Sequence, residues 1–378
     1  MIRQVMPARP ISYRLHHGIL VALVLAGCVE PRAAGRGSHA DSNPGSVLEE
    51  GDVVGLVSAA VFMQYDNMDG GVPNEPQSSV AAAMYDFGEQ VPIDPQLSVL
   101  AVLPPPERES IAGCVVETQT IVNTFELTGG GGRPTSEPPV IEAFPLDAGA
   151  TGTAENASGG ATLRRTDDAG PAFSGFYFSE QGSLDLTPDG SLTEQTVTFR
   201  FPGGTDIDAF EVTADVPPAP RVLMPDVTDP GLTIDLSGPI NVVWEPGDAA
   251  DTVQLAIFRL TILRNQQGDR VEERRTMATA TCTFPDTGSG TIPAEALARL
   301  PELDLFTTLS VTRVRRSEIA VELPGAGVTG IVQAVGSARV SHSFLFLSGA
   351  SPCDLATCGE GLVCNPDVGF CQPAGDEP

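Results

Sequence analysis

From Asp52 to about Gly349 the chain is written in short apolar–polar alternations broken by glycine and proline, a pattern that builds sheets and little else. Thr196–Phe201 is the cleanest case. Val197, Phe199 and Phe201 fall on one face; Thr196, Thr198 and Arg200 fall on the other. Val253, Leu255 and Ile257 begin a longer strand, and Ala278, Ala280, Cys282 and Phe284 share one face of another. Leu309 and Val311 run into Arg313 and Arg315, so one face has an apolar end and a charged end. Pro104–Pro106, Gly129–Gly132, Pro217–Pro220 and Gly288-Ser289-Gly290 punctuate the runs. One short helix is expected, with Pro293 in its first turn and Ala294–Leu300 following.

The fold class expected is therefore mainly β. The β-patterned stretch is too long for a comfortable single sandwich. A boundary at Val216-Pro217 divides it into a β-rich domain at 51–216 and an immunoglobulin- or fibronectin-like sandwich at 217–349. A cysteine-rich module with an acidic tail fills 350–378. The single tryptophan, Trp244, ends the apolar run from Ile240 and is read as a core residue between sheets. The competing role is an exposed sugar platform. Only Tyr65, Tyr85 and Tyr177 accompany it beyond the leader, little aromatic area for carbohydrate. No internal repeat is visible.

The first 27 residues divide as an export signal does. Arg3, Arg9 and Arg14 are the only charges, and Gly18–Ala26 is continuously apolar or small. As a helix those nine residues reach only about 14 Å, short of the roughly 20 residues a bilayer core requires. Leu25-Ala26-Gly27-Cys28 resembles the lipobox of bacterial lipoproteins. The resemblance implies cleavage before Cys28, diacylglycerol on its thiol and a further acyl chain on its amino group. It implies attachment to the membrane through that lipid, since several chains on one residue hold far better than one. Val29 is not the aspartate that retains enteric lipoproteins in the inner membrane, which points to the outer membrane. Residues 28–50 read as a lipidated flexible tether, spanning on the order of 25 Å as a coil.

Charge and missing residues exclude several chemistries. Every one of the 21 basic residues is arginine; removing the three of the leader leaves 18 against 49 acidic residues, a net charge of −31. Nucleic acid is repelled by such a chain and is not expected as a partner. Without lysine there is no Schiff base, no P-loop lysine and no Ser-Lys pair. His16 and His17 lie in the leader and His39 in the tether, so His342 is the one histidine of the β region. A multi-histidine metal site is excluded, and a Ser-His-Asp triad has only His342 to use. His342 alternates with Val340, Phe344 and Phe346, which puts it in a packed layer rather than a catalytic site. Carboxylate-only hydrolysis stays open.

Six cysteines remain beyond Cys28. Cys353, Cys358, Cys364 and Cys371 crowd into 19 residues with Gly359, Gly361 and Gly369 between them. So short a segment buries too little to fold unaided. Four cysteines allow three pairings, and a zinc site lacks the Cys-x2-Cys knuckle. The segment resembles half of an epidermal-growth-factor-like module, a resemblance that implies Cys353–Cys364 and Cys358–Cys371. Cys114 and Cys282 are read either as a bridge between the two halves or as two buried thiols. Asp66-Asn67-Met68-Asp69-Gly70-Gly71 has the oxygens of a calcium loop without its spacing or closing glutamate, and is read as a solvated turn.

The stretches LDAGATGTAENASGGATL (Leu146–Leu163), IDLSGPINVVWEPGD (Ile234–Asp248) and CTFPDTGSGTIPAEALARLP (Cys282–Pro301) resemble a loose group of uncharacterised secreted lipoproteins of high-GC Gram-negative bacteria. That likeness covers roughly residues 51–347 and implies fold and localisation only. The function expected is a membrane-anchored envelope protein with a non-enzymatic binding or structural role. Its partner would be a protein or polysaccharide; no metal and no cofactor are expected. The alternative is an extracytoplasmic, glycosidase-like hydrolase working with two carboxylates.

Overall fold

The computed structural model describes residues 48–49, 51–66, 76–86, 107–126, 144–166, 175–179, 184–186, 194–229, 232, 234–267, 270–301, 306–344, 362–365 and 370–373. All belong to one compact unit of the chain, 38–378. Strands in chain order are β1 (Val53–Asp66), β2 (Gln77–Asp86), β3 (Glu107–Ile111), β4 (Cys114–Glu126), β5 (Phe144–Pro145), β6 (Thr151–Asn156), β7 (Gly159–Arg165), β8 (Phe176–Ser179), β9 (Gln195–Phe201) and β10 (Phe210–Val216). There follow β11 (Val222–Met224), β12 (Ile240–Trp244), β13 (Thr252–Gln267), β14 (Arg270–Pro285), β15 (Ser289–Ile292), β16 (Phe306–Leu323), β17 (Val328–Phe344), β18 (Leu362–Asn365) and β19 (Phe370–Pro373). The fold is mainly β, as the alternation requires. One helical turn, α1 (Ala294–Leu297), is shorter than the expected 294–300. Pro293 stands before it in extended conformation as the N-cap, because its ring sets φ but contributes no capping group.

One large sheet runs β10-β9-β6-β7-β8-β2-β1-β17-β16-β13-β14-β4-β3, with β5 joined to β2. A second sheet has the order β11-β12-β15, and β18 pairs with β19. β1 and β17 are parallel from Val53 opposite Ile331 to Asp66 opposite Ser343; neighbouring pairs such as β16–β17 and β13–β16 are antiparallel. A bulge between Val53 and Gly55 shifts the β1 register, so both Val54 and the later odd-numbered Val57, Ala59 and Val61 reach the same core.

Two apolar cores result. The first gathers β1, β2, β6–β10 and the turn-side ends of β16 and β17; Val57, Met84, Tyr177, Phe199, Phe201 and Val332 are among its buried members. The second lies between the small sheet and the β16-β13-β14-β4 part of the large one, as in a β-sandwich. Trp244, Leu255, Ile257, Ala280, Leu309 and Val311 are buried in it, with Ala296 and Leu297 of α1 closing one side.

Neither core is made from one side of Val216-Pro217 alone. Val321, Leu323, Val332 and Ala334 serve the first, while Cys114 and Val116 serve the second. Val216-Pro217 is where the chain passes from the first core toward the second, and both cores draw on sequence from either side of it. The reason is strand length: β16 and β17 are 18 and 17 residues long and pass through both cores. Their pairing with β1 and β13 draws early and late sequence into the same layers.

Cys114 and Cys282 form a disulfide. They face each other directly in the β4–β14 ladder, so the bridge joins neighbouring strands of one sheet and ties early sequence to late. Both residues are buried. With a sequence separation of 168, the chain-entropy account assigns the bridge about 5 kcal/mol at most. The Cys114→Ala/Cys282→Ala double variant is therefore expected to lose about 2–5 kcal/mol. Chemical denaturation of the variant beside the oxidised parent measures the loss, and equal midpoints would contradict it.

Candidate functional site

β16 carries an unusual face. Reading its odd positions, Leu309 and Val311 lie in the second core, Arg313 and Arg315 come next, then Ser317, and Ile319, Val321 and Leu323 meet the first core. The charged end expected for this face is thus a polar belt between two cores. Arg313 is almost wholly buried, and so is its partner Asp286, which follows β14; the exposures of the two side chains are 4% and 0%.

Burying an arginine is tolerable only when its donors are met. Arg313 Nε donates to Asp286 Oδ2 at 2.6 Å, Nη1 to the Pro218 carbonyl at 2.9 Å, and Nη2 to the Glu245 carbonyl at 2.7 Å. Asp286 is saturated from its own side. Trp244 Nε1 donates to Oδ1 at 2.6 Å and the Gly247 amide donates to Oδ2 at 3.0 Å. A Cβ on Gly247 would stand 2.8 Å from Arg313 Cζ, so glycine is what lets the loop after β12 close over the pair.

Arg315 repeats the arrangement two residues on. It grips Asp251 through Nε at 2.7 Å and Nη2 at 3.1 Å, and also pairs with Glu194. The hydrogen bonds it donates to Asp251 hold the Arg315 guanidinium more firmly protonated than usual. The two aspartates are joined through their main chains: the Asp286 amide donates to the Asp251 carbonyl. Both side chains are fully buried and spent on arginines. A glycosidase needs two carboxyl groups facing a sugar; this pair faces protein.

Above the belt, β10 crosses the sheet. Ser317 Oγ donates to the Thr213 carbonyl at 2.8 Å. A Cβ at Gly336, opposite Arg315 in the ladder, would lie 1.8 Å from the Asp215 carbonyl oxygen. The chain then leaves β10 through Val216-Pro217 and gives the Pro218 carbonyl to Arg313. The belt is a clasp on the connection between the cores.

A second polar cluster closes the first core. Asp147 accepts hydrogen bonds from the Gly149 amide, the Thr205 amide and the Thr205 hydroxyl, and pairs with Arg165 at 2.7 Å. Its carbonyl accepts the amides of Asp206 and Ile207. Burial pushes the Asp147 carboxyl up, but these donors and the arginine outweigh it, and the carboxyl is held below its ordinary value. Tyr177 adds a bond from its hydroxyl to the Gly149 carbonyl at 2.8 Å.

Of the residues singled out from sequence, Trp244 is buried and hydrogen-bonded, a core residue and not a sugar platform. His342 is fully buried, with Nδ1 2.7 Å from the Val227 carbonyl, in the packed layer expected of its alternation with Val340. Cys364 and Cys371 stand opposite each other in the β18–β19 hairpin. Leu25, Ala26, Gly27, Cys28, Cys353 and Cys358 lie outside the described residues, as does the acidic loop beyond Asp66. Among the described residues no group of three or more histidine, cysteine, aspartate or glutamate side chains is placed to hold a metal ion. Asp147, Asp286 and Arg313 did not stand out in the sequence as polar hubs. The signal was their setting: Asp147 and Asp286 lie in glycine-bearing turns of the stretches LDAGATG and FPDTGSG.

No family profile matches the chain, and no curated protein matches its sequence. Among solved structures, the yeast delta-COP-I mu-homology domain aligns over 79% of this chain and 100% of its own at 8% identity, with a TM-score of 0.16. That superposition is too poor to carry an argument about fold or function.

Arg313→Ala is expected to destabilise the protein by about 3–5 kcal/mol, because it strands Asp286 uncompensated in the interior. Arg313→Met with Asp286→Asn should recover part of that, since the charge is gone and the amide oxygen can still accept from Trp244. Denaturant titration of the three proteins reads the difference; a single variant no worse than the double would contradict the clasp. For Asp147 the sign follows from its lowered carboxyl. The stabilisation is complete above the unfolded value near 3.8 and is lost as pH falls through the folded value. Asp147→Asn should therefore be less stable than the parent at neutral pH, and the gap should shrink as acid protonates the parent. Thermal melts from neutral to strongly acidic pH test this.

Proposed function

We propose that this protein is a lipid-anchored envelope protein of the outer membrane, with a binding or structural role and no catalytic one. The observation that carries the reading is Leu25-Ala26-Gly27-Cys28 straight after the apolar run Gly18–Ala26. Cys28 would bear the lipid, and residues 28–50 would tether the β-structured body. The Cys114–Cys282 disulfide supports export, because such bonds persist in oxidising compartments.

The body in this reading is a pair of sandwich-like layers, the second immunoglobulin-like, followed by a small cysteine-rich module. Cys353–Cys364 and Cys358–Cys371 would staple that module. Its partner would be a protein or a polysaccharide of the envelope. Nucleic acid is disfavoured by the charge of −31 beyond the leader.

Cells expressing the full chain should incorporate labelled palmitate into it, and the protein should partition into detergent. Cys28→Ser should abolish both. Labelling that persists in the variant would overturn the proposal.

A further inference from the structure

Among the described residues, the large apolar side chains that stand out in solvent are Leu223 and Met224 of β11, 50% and 48% exposed. They ride on an open edge. β11 pairs with β12 on one side and with no described strand on the other. The Arg221 carbonyl accepts the Glu245 amide, so Arg221 turns its main chain to β12. Alternation then turns the Val222 amide and carbonyl to the open side. Pro220 and Pro225 bracket the strand and have no amide to donate, so pairing along this edge is confined to Arg221–Met224. The edge is held in shape from both ends. Glu245 fixes Arg221, and beyond Pro225 the buried Val227 has its carbonyl 2.7 Å from His342 Nδ1. The terminal strands of the main sheet offer nothing similar. β3 exposes Glu107, Arg108 and Glu109, charges that discourage strand pairing, and β10 lies against β17 at Gly336.

Charge selects the occupant. Asp226 and Asp229 are exposed in the turn after Met224, where the Asp229 amide donates to the Asp226 carbonyl. Hydrogen bonds from Thr228 hold the Asp226 carboxyl below its ordinary value. Arg221, at the other end of the strand, is matched by Glu245 at 2.7 Å. A second copy would bring the same acids to this edge and a net charge of −31 beyond its leader. We infer that the β11 edge docks an extended segment of a protein partner in which apolar residues alternate with arginine or lysine. The segment adds as a strand beside Val222 and packs its apolar side chains on Leu223 and Met224. This rests on the binding role proposed above, with protein as the partner, and not on the lipid.

The test reads the fluorescence anisotropy of a labelled peptide of alternating arginine and valine. The full chain is held in phosphatidylcholine nanodiscs, whose surface has no net charge. The peptide should bind, and a counterpart with glutamate for arginine should not. Leu223→Ser/Met224→Ser should weaken binding at least about tenfold. Asp226→Asn, whose amide oxygen can still accept from Thr228, should weaken it severalfold. Thermal melts of the variants should match the parent, since the sites are exposed; a lower melt in the double variant leaves Asp226→Asn to carry the comparison. Part of the binding should survive about 1 M salt, where the screening length is roughly 3 Å. Binding that salt abolishes, or that the double variant retains in full, is general attraction to an acidic chain and overturns the docking edge; absence of binding does the same. Self-association of the parent in sedimentation, lost in the double variant, gives the edge to a second copy and overturns the cationic partner. Palmitate labelling is read on the same preparations. Labelled protein that ignores the peptide overturns the docking edge alone, and unlabelled protein that binds it overturns the anchor alone.

Discussion

The guanidinium of Arg313 decides where the two cores meet. A strand of 18 residues such as β16 could present one apolar face throughout, and a single overlong core would result. Arg313 and Arg315 interrupt that face where Leu309 and Val311 end, and a buried guanidinium needs hydrogen-bond acceptors packed over it rather than apolar side chains. What does sit there is backbone: the Pro218 and Glu245 carbonyls, with the Asp286 carboxylate between. A buried ion pair of this kind gives little net stability, since desolvation consumes most of the attraction. Its value is positional. The connection from β10, the turn after β12 and the turn after β14 must all converge on one residue, or the charge is left unsatisfied.

The same constraint explains the small residues around it. β10 lies against β17 where Gly336 presents no side chain, and the loop after β12 closes where Gly247 presents none. A larger residue at either place would push carbonyl oxygens off the guanidinium. The first core has its own version in Asp147, where a carboxylate gathers the amides of two glycine-bearing turns. In both cases an acidic side chain organises loops that have too few apolar atoms to organise themselves.

Much of the β-structure was legible because alternation is local. Val197-Phe199-Phe201 and Ala278-Ala280-Cys282 show their buried faces without any knowledge of neighbours, and the burial of Trp244 follows from the apolar run before it. The charged end of the Leu309–Arg315 face was visible too, but its meaning was not. A charged residue at the end of an apolar face reads equally as solvent-exposed or as a buried clasp. The choice depends on Pro218, Glu245 and Asp286, which are 95, 68 and 27 residues away. The Cys114–Cys282 bridge was undecided for the same reason: register between β4 and β14 is set by pairing, not by spacing along the chain. A proline-rich connection such as Val216-Pro217 marks a change of direction in the sequence, whereas which strands from either side of it share a core is set by the pairing of β16 and β17.

The parallel β1–β17 pair is the least legible feature and has the widest consequence. Parallel neighbours need a long crossover, and this one takes in everything from β2 to β16. β1 is flanked by β2 on one side and β17 on the other, so it is a central strand although it comes first. Until residues 328–344 are present, one whole edge of β1 has unpaired amides and carbonyls, and Val57, Ala59 and Val61 lack the Val332–Ala338 side of their core. Closing so long a loop is entropically costly, and such topologies form slowly. A chain exported N-terminus first would hold this strand incomplete until nearly all of the β-structured region had crossed. The first core is thus completed only by β17, nearly the last strand of the main sheet in chain order.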